Sequence, residues 1–336
     1  MTLHSPFEDS DSARDAFASA PASWYHLASL AKLSRGPVKF ELPEEQSFVG
    51  FLGEGSKPVV LGARCSHMGA NLARGCVKGG RIVCPLHGWE YNATGGCERI
   101  PAAKEIPSFA RQPTFPVEVR GGHVFFFNRA EARFPMPFFE DGDDSALLAA
   151  QPFEFRVDAP WYLVGANGFD VQHFRCAHDR TLEGEPLMDS RSPFSMRLTA
   201  RFRVSGNAPL DSITRWLSGC EVEMMVENWG GNLVLVTAKF PRTTTYGLVS
   251  FAPLGDGTTR LRDIVWIPRR RGLLGKLIDP IDAAIRRYFI REFVRSDVER
   301  SAGIRYHPSR MIAADKTLVE YLAWLRGIQP HSPAPQ

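Results

Sequence analysis

The sequence predicts two domains, an all-β domain followed by an α+β domain. From about residue 24 to about residue 127, short runs of β-forming residues are interrupted by glycine and proline, which is typical of a small all-β domain. Residues 221–267 contain longer runs in which apolar and polar residues alternate, as in a sheet with one buried face. Beyond Leu273, apolar residues recur at helical spacing. An antiparallel sheet wrapped by a long C-terminal helix makes the second domain α+β.

The first domain is expected to span residues 21–130, after a polar, flexible N-terminal arm of residues 1–20. Residues 131–152 mix proline, acids and glycine and are predicted to form a linker. Gly79-Gly80 predicts a tight hairpin. Six runs in this domain are predicted strands: Val38–Leu42, Ser47–Leu52, Pro58–Leu61, Arg81–Val83, Val117–Val119 and His123–Phe127.

The second domain is expected to span residues 153–336. It opens with a predicted strand over Phe153–Val164, followed by a polar, irregular stretch. The long helix carries Ile278, Ile281, Ile285, Phe289 and Phe293 on one face, and a final helix runs from about Ala314 to Arg326. Two hairpins precede the long helix; their predicted strands are Glu221–Asn228, Asn232–Phe240, Tyr246–Ala252 and Arg260–Ile267.

Composition and charge limit the possible functions. The chain has 336 residues, a net charge of +3 and 44% apolar residues, which is normal for a globular protein and too weakly basic to indicate nucleic-acid binding. We find no run close to the roughly 18 uncharged apolar residues of a membrane span, and the polar, acidic N-terminus is unlike a secretory signal. These features predict a cytoplasmic protein.

Two pairs of cysteine and histidine are the most informative motif. Cys65-Ser66-His67 is followed by Cys84-Pro85-Leu86-His87, and a glycine follows each pair closely. Two thiolates and two imidazoles are the ligands of a [2Fe–2S] cluster in which one iron takes sulfur and the other nitrogen. The same ligand set also suits zinc. The tight spacing, the mixed pairs and the hairpin between them favour the cluster.

The segments CSHMGANL and CPLHGWEYNATGGC resemble the Rieske family. The resemblance implies that Cys65, His67, Cys84 and His87 hold the cluster. Respiratory Rieske proteins carry two further cysteines, which form a disulfide, at the positions of Ala70 and Leu86 here. The sequence is therefore more similar to the Rieske domains of soluble ferredoxins and ring-hydroxylating oxygenases. The other four cysteines show no ligand spacing: Cys76, Cys97, Cys176 and Cys220.

A second set of candidate ligands lies in the second domain. Asp170, His173 and His178 place a carboxylate and two imidazoles within nine residues. Seen alone, such a group is more often structural, but a Rieske cluster needs an electron acceptor. Two histidines with one carboxylate leave coordination positions open, as in non-haem Fe(II) oxygenases. The pattern that starts at Asn167 resembles the mononuclear-iron motif of Rieske oxygenase α-subunits, and this resemblance covers essentially the whole chain.

The resemblance implies that the carboxylate ligand comes from the C-terminal helix. Asp297 continues the apolar stripe of that helix past Phe293 and is the expected third ligand beside His173 and His178. A buried carboxylate at such a position needs a cation or a metal. Glu299 is the alternative ligand, and an ordinary surface acid is the structural alternative.

The resemblance assigns Asp170 a different role from that of a ligand. In the family it links an iron-bound histidine, here His173, to a cluster histidine of a neighbouring subunit, here His87. A carboxylate between two ligand imidazoles fixes both rings and connects the centres. This arrangement implies a head-to-tail homotrimer. Asn167 is expected to lie beside the iron ligands.

The sequence therefore predicts a Rieske non-haem iron oxygenase with a helix-grip, START-like second domain. The overall pattern resembles α-only oxygenases of the ketosteroid and alkaloid monooxygenase type, and this resemblance implies a bulky apolar or aromatic small molecule as substrate. Electrons from NAD(P)H would arrive through a separate ferredoxin or flavin reductase, and O2 is the co-substrate. The same metals could also serve a dioxygenase, desaturase or demethylase. A Rieske electron carrier without mononuclear iron is the alternative from another class.

Overall fold

The computed structural model describes residue 7, residues 9–140 and residues 142–329. The described chain divides into two compact units, one of residues 22–136 and one that combines the described residues up to Pro21 with those from Pro137 onward. The N-terminal helix α1 (Ser10–Ala16) belongs to the second unit. Within the described ranges, we find no helix with the length and apolar character that a membrane crossing requires.

The unit of residues 22–136 is all-β apart from one short α-helix and two 3-10 turns. Its strands form three antiparallel sheets, ordered β1-β10-β9, β2-β3-β4 and β5-β6-β7-β8. The elements are β1 (Trp24–Ser29), α2 (Leu30–Leu33), β2 (Val38–Glu41), β3 (Ser47–Leu52), β4 (Pro58–Gly62), β5 (Cys76–Lys78), β6 (Arg81–Val83), β7 (Glu90–Tyr91), β8 (Cys97–Arg99), β9 (Val117–Arg120) and β10 (His123–Phe127).

All six strands predicted for this unit are present, with bounds that differ by at most one residue. The predicted hairpin is also confirmed, because Gly79 and Gly80 join β5 to β6 with φ angles of 53° and 75°. Positive φ at two consecutive residues matches the twist of a two-residue hairpin and favours glycine. This hairpin separates the two cysteine–histidine loops along the chain.

The second unit is an α+β structure with one large sheet. Seven strands follow the order β11-β18-β17-β16-β15-β14-β13, β12 also pairs with β18, and every pairing is antiparallel. The elements are β11 (Leu147–Ala149), β12 (Phe153–Val157), α3 (Trp161–Ala166), α4 (Val171–His178), β13 (Arg180–Asp189), β14 (Ser195–Val204), α5 (Pro209–Ser218), β15 (Glu221–Trp229), β16 (Leu233–Phe240), β17 (Thr243–Pro253), β18 (Thr259–Pro268), α6 (Gly272–Arg300) and α7 (Lys316–Ile328).

One face of this sheet packs against helices of the same unit. Phe174 on α4 contacts Phe202 on β14, with ring centroids 4.9 Å apart. Directly paired residues of antiparallel strands share a face, so the register extends the face of Phe202 across the sheet to Val236 and Gly247. We call this the helix-facing side of the sheet.

Three expectations about this unit are corrected by the structure. The strand predicted over Phe153–Val164 ends at Val157, because Pro160 interrupts it and starts α3. β13 and β14 form a hairpin in a stretch expected to be irregular. The sheet is also buried on its far side, where Trp266 is 0% exposed and contacts Phe138.

Candidate functional site

Two loops of the all-β unit carry the cysteine–histidine pairs and have the same backbone pattern. In the first loop the Cys65 N–H donates to the Ala70 carbonyl at 2.9 Å, and the Gly69 N–H donates to the Cys65 carbonyl at 2.8 Å. The second loop repeats the pattern, with the Gly88 N–H donating to the Cys84 carbonyl at 3.0 Å. Gly69 and Gly88 have φ angles of 71° and 70°, which side chains rarely permit.

The four side chains are sorted into a thiol pair and an imidazole pair. Cys65 and Cys84 are both 3% exposed and lie in the same buried cluster. Burial raises the pKa of the Cys84 thiol. The Nδ1 atoms of His67 and His87 lie 3.2 Å apart, and both imidazoles are exposed. A buried sulfur pair beside an exposed nitrogen pair fits a cluster whose two irons have different ligands.

Three further side chains shape this site. The Tyr91 hydroxyl lies 3.1 Å from Cys65 Sγ and 3.0 Å from Ser66 Oγ, and Tyr91 is fully buried. Burial raises the pKa of Tyr91, so its hydroxyl stays protonated and can donate to sulfur. The Trp89 ring stacks on His67 with centroids 4.6 Å apart. Hydrogen bonds to a ligand sulfur are one of the means by which proteins set a cluster's reduction potential.

A basic groove lies beside the cysteine–histidine loops. It has a volume of about 520 Å³ and is lined by residues of both loops, with Pro85 and Leu86 from the second. Its cations are Lys39, Arg64 and Arg74. Lys39 is paired with Glu41, whereas Arg64 and Arg74 are exposed. The groove therefore presents positive charge next to the loop that ends in His87.

In the second unit, His173, His178 and Asp297 converge. Their ligand atoms all lie within 4.8 Å of one another. His178 Nε2 is 2.6 Å from Asp297 Oδ1, and His173 Nε2 is 3.6 Å from the same oxygen. His178 is 8% exposed. Two imidazoles and a carboxylate at these distances match the donor set that holds non-haem Fe(II) and leaves coordination positions open.

The local structure of α4 orients both histidines. Asp170 caps the helix through Oδ1, which accepts the Gln172 N–H at 3.0 Å and the His173 N–H at 3.3 Å. The Asp170 carbonyl lies 2.8 Å from His173 Nδ1 and accepts a hydrogen bond from it. This bond directs Nε2 of the same ring toward the site. The helix ends at His178, because Asp179 adopts a left-handed conformation with φ of 51°.

Helix α7 holds the segment that precedes α4. The Thr317 hydroxyl donates to the Phe169 carbonyl at 2.6 Å, and the Phe169 ring stacks on Tyr321 with centroids 4.3 Å apart. Asn228 donates to the Tyr321 hydroxyl at 2.9 Å. Gly168 lies so close to the sheet that a Cβ atom would come within 2.8 Å of Val226. These contacts fix the start of α4 relative to the sheet.

Asp297 is the electrostatic centre of this group. Burial by itself would raise the pKa of its carboxyl, but hydrogen bonds and charge from His173 and His178 outweigh burial and lower it. The carboxyl is therefore ionised at neutral pH. The His178 ring stacks on Phe293, with centroids 3.5 Å apart. Phe293 precedes Asp297 by one helical turn of α6, so the same helix supplies the carboxylate and a wall for His178.

The remaining predicted site residues have clear positions. Asn167 Nδ2 lies 3.4 Å from His173 Nε2, so its amide lies beside the histidine pair. The Asp170 carbonyl contacts His173 and its Oδ1 serves the cap, while Oδ2 takes no part in that cap. Glu299 is 66% exposed and pairs with Arg295 at 3.5 Å, apart from the group of Asp297.

Half-buried apolar side chains pack in the same cluster as Phe174 and Phe293, which contact the two histidines. On the helix-facing side of the sheet, Met224, Val236 and Ala238 belong to the main apolar cluster of the unit yet remain half-buried. Phe293 and Val294 on α6 belong to the same cluster and are also half-buried. Such a surface next to polar converging groups is typical of a small-molecule site.

Sequence reasoning did not identify Tyr91 or the basic groove. The position of Tyr91, two residues after Trp89, could have indicated a residue near the second loop. Only the folded structure shows that its hydroxyl lies beside Cys65. Arg64 and Arg74 are single charges in the sequence, and the groove they form depends on how the loops close.

Comparisons with known proteins concern the Rieske-like unit and the overall fold. A family model described as "Rieske [2Fe-2S] domain" matches residues 23–110. A probable 3-ketosteroid-9-alpha-monooxygenase oxygenase component from Rhodococcus rhodochrous is 44% identical over 89 residues, which are 26% of this chain and 22% of that protein. The methylxanthine N1-demethylase NdmA from Pseudomonas putida is 31% identical over 170 residues, which are 47% of each chain.

The whole fold is matched by a solved structure. Dicamba monooxygenase bound to dicamba has a TM-score of 0.72 at 16% identity, and the match covers 92% of this chain and 97% of that one. By sequence, the chain spans about half or less of the curated relatives named above. The Rieske match removes the zinc alternative for the first site. The chain thus carries a Rieske [2Fe–2S] domain, and its fold is that of dicamba monooxygenase.

Proposed function

We propose that this protein is the oxygenase component of a Rieske non-haem iron monooxygenase system. Cys65, His67, Cys84 and His87 would hold the [2Fe–2S] cluster, and the second unit would hold a mononuclear iron. The substrate class is a bulky, apolar or aromatic small molecule.

The observation that carries this proposal is the convergence of His173, His178 and Asp297 within a unit whose apolar cluster includes half-buried side chains. A Rieske protein that only carried electrons would have no need for a second set of metal ligands. An electron carrier would also have no substrate to contact half-buried apolar residues such as Val236 and Val294. Together these features supply a metal site and a place for an organic molecule.

A bound mononuclear iron would supply the activation of O2. The residues of the chain position that chemistry. The Asp170 carbonyl holds the His173 tautomer that presents Nε2, and Phe293 fixes the plane of the His178 ring. The apolar side chains of the helix-facing side exclude water from the substrate, which limits side reactions.

Electron transfer is proposed to pass between subunits of a homotrimer, from His87 of one subunit to Asp170 of the next. His87 is exposed. Asp170 contacts His173 directly, and its Oδ2 takes no part in the helix cap. The cap fixes the orientation of the carboxylate through Oδ1 and leaves Oδ2 outside the cap, while the Asp170 carbonyl contacts the His173 ring, so Asp170 is suited to link two imidazoles.

The proposed electron donor is a ferredoxin or a flavin reductase that draws on NAD(P)H. The basic groove supports a donor with an acidic surface, because Arg64 and Arg74 lie beside the loop that contains His87. A reducing, cytoplasmic location is proposed because Cys76, Cys176 and Cys220 are exposed free thiols.

Monooxygenation is the preferred reaction because two similar proteins are named monooxygenases. One of them is similar in sequence over 89 residues, and the other shares the fold. Demethylation, desaturation and dihydroxylation use the same centres and differ in how the substrate lies. The name of NdmA reports demethylation for that protein. Product analysis distinguishes these outcomes.

Iron content per chain tests the proposal most directly. The oxygenase should bind three irons per chain, two in the cluster and one at the triad. His178→Ala should bind two and keep the visible spectrum of the cluster. Glu299→Gln, which changes an exposed acid of the same helix α6, should keep three.

An electron carrier would give a different result. Two irons in the wild-type protein, unchanged by His178→Ala, would exclude the oxygenase and leave electron transfer alone. Oxygen uptake with a panel of steroids, aromatic acids, aryl amines and alkaloids, supplied with a surrogate reductase, would then identify the substrate class.

A further inference from the structure

A buried acid on the helix-facing side of the sheet has no role in the function proposed above. Asp263 lies in the middle of β18 and is 2% exposed. It pairs directly with Val249 on β17 and with Phe153 on β12. Val249 belongs to the same apolar cluster as Val236, so the carboxyl is on the side of the sheet that faces the helices.

The carboxyl of Asp263 lacks a partner on one oxygen. Among the described residues, none forms a hydrogen bond with Oδ1, and this atom is buried. Buried polar atoms in proteins almost always have a partner, and one without a partner lowers stability. An acid kept in such surroundings without a structural partner is expected where a ligand provides one.

Gly247 on the neighbouring strand leaves room for a methyl group beside this oxygen. Gly247 on β17 is half-buried, as is Val236, its direct partner on β16. A Cβ atom on Gly247 would lie 3.5 Å from Asp263 Oδ1 and 3.7 Å from Val236 Cβ, which is ordinary contact rather than a clash. Glycine inside a strand often marks a place where another group approaches closely. We call the space bounded by Val236, Gly247 and Asp263 the Gly247 notch.

We propose that Asp263 is the polar anchor of the substrate site and accepts a hydrogen bond from an amine nitrogen of an otherwise bulky, apolar substrate. The inference rests on the function proposed above and narrows its substrate class. The apolar body would lie along Val236 and Val294, and the amine would enter the Gly247 notch.

Chemistry favours an amine over other polar groups at this position. Burial raises the pKa of Asp263 to about 7, so its carboxyl can be ionised by a nearby positive charge. A protonated amine donates to Oδ1 and also neutralises the carboxylate in apolar surroundings. Charge-assisted hydrogen bonds are about twice as strong as neutral ones. A ketone offers no donor, and a hydroxyl donates without charge.

Three probes with one carbon skeleton test the inference: 2-aminotetralin, 2-tetralone and tetralin. Their dissociation constants are measured by calorimetry on the metal-loaded protein without oxygen, so no turnover is involved. The wild type should bind the amine at least about 10-fold more tightly than the other two, as a hydrogen bond to a charged group provides. Asp263→Leu should lose this preference while still binding tetralin.

Two further variants separate recognition from folding. Glu299→Gln, an exposed acid on α6, should keep the preference for the amine. Gly247→Ala leaves the carboxyl in place and should weaken the amine most, because the added methyl group occupies the notch beside Oδ1. Asp263→Leu should melt at the same temperature as the wild type or higher, because it removes a buried group without a partner. A lower melting temperature would indicate a structural role and overturn the inference.

The remaining outcomes are equally decisive. Equal binding of all three probes, or a preference for the ketone, in a protein with three irons per chain overturns the anchor and leaves the proposed function intact. If the amine does not bind to a protein with three irons per chain, the anchor role of Asp263 is also overturned and the proposed function stays intact. Two irons per chain would overturn both the proposed function and the inference that depends on it.

Discussion

The hydroxyl of Tyr91 should set part of the reduction potential of the cluster. It lies 3.1 Å from Sγ of the proposed ligand Cys65 and is fully buried. Reduction adds one negative charge to the cluster, so a hydroxyl that donates to its sulfur stabilises the reduced form more than the oxidised form. Tyr91→Phe removes this donor and keeps the ring, and we expect a lower reduction potential.

The size of the shift follows from the strength of such a bond. Hydrogen bonds to charged groups contribute about 1.5–3 kcal/mol in total. The bond persists in both oxidation states, so we take about 1 kcal/mol as the part that changes on reduction. For a one-electron couple, a tenfold change in equilibrium corresponds to about 59 mV, which gives a decrease of about 40 mV.

The measurement is a redox titration followed by the visible spectrum of the cluster. Tyr25→Phe is the matched control, since Tyr25 is another buried tyrosine of the same unit and contacts Phe40 and Phe126 rather than the cysteine–histidine loops. Ser66→Ala should cause a smaller decrease, because Ser66 contacts the Tyr91 hydroxyl at 3.0 Å and helps to orient it. An unchanged potential in Tyr91→Phe, with an intact spectrum, would refute the reasoning.

Three other predictions concern separate parts of the molecule. Asp170→Asn should keep the helix cap and the iron content but slow turnover. Asp170→Ala should also lower the free energy of unfolding by about 1 kcal/mol, because it removes the helix cap. Iron analysis and melting curves distinguish the two variants, and full turnover in Asp170→Asn would contradict the bridging role. Arg74→Glu should slow reduction of the cluster by an acidic donor about 10-fold at low salt, with the difference shrinking at high salt; a salt-independent rate in stopped-flow measurements would argue against the groove. Burial raises the pKa of Asp263 from its ordinary 3.8 to about 7, so between these two pH values the folded state binds more protons than the unfolded state and stability falls as pH rises. Asp263→Leu should abolish that fall in melting temperatures measured between about pH 4 and pH 8. An unchanged dependence of melting temperature on pH would contradict a buried neutral acid at this position.

Sequence patterns predicted the elements whose signal is local. The hairpin at Gly79-Gly80 follows from backbone conformations that glycine adopts easily, and it is present. The long helix follows from its apolar spacing, and it extends to Arg300. The same spacing placed Asp297 one turn after Phe293, where it meets His178. The first part of the predicted stripe is not buried, because Ile278, Ile281 and Ile285 are exposed.

Elements that depend on tertiary context could not be predicted from the sequence. β13 and β14 are rich in charged residues because they lie toward one edge of the sheet, and their cross-strand pairs, such as Arg203 with Glu183, are visible only when paired. Asp170 looked like a bridge alone, yet it also caps α4. Asp263 stands in an apolar run, and no sequence pattern reports whether a buried acid has a partner.

The matching backbone of the two cysteine–histidine loops has a consequence for how the cluster is assembled. Each loop supplies one thiol and one imidazole, whereas the thiols group together and the imidazoles group together. In the proposed ligand set, each loop therefore contacts both irons, and each iron depends on both loops. An iron bound to one loop alone would have one thiolate and one imidazole, whereas in the cluster each iron takes either two thiolates or two imidazoles. Loading should thus be all-or-none, and damage to either loop should release the entire cluster rather than half of it.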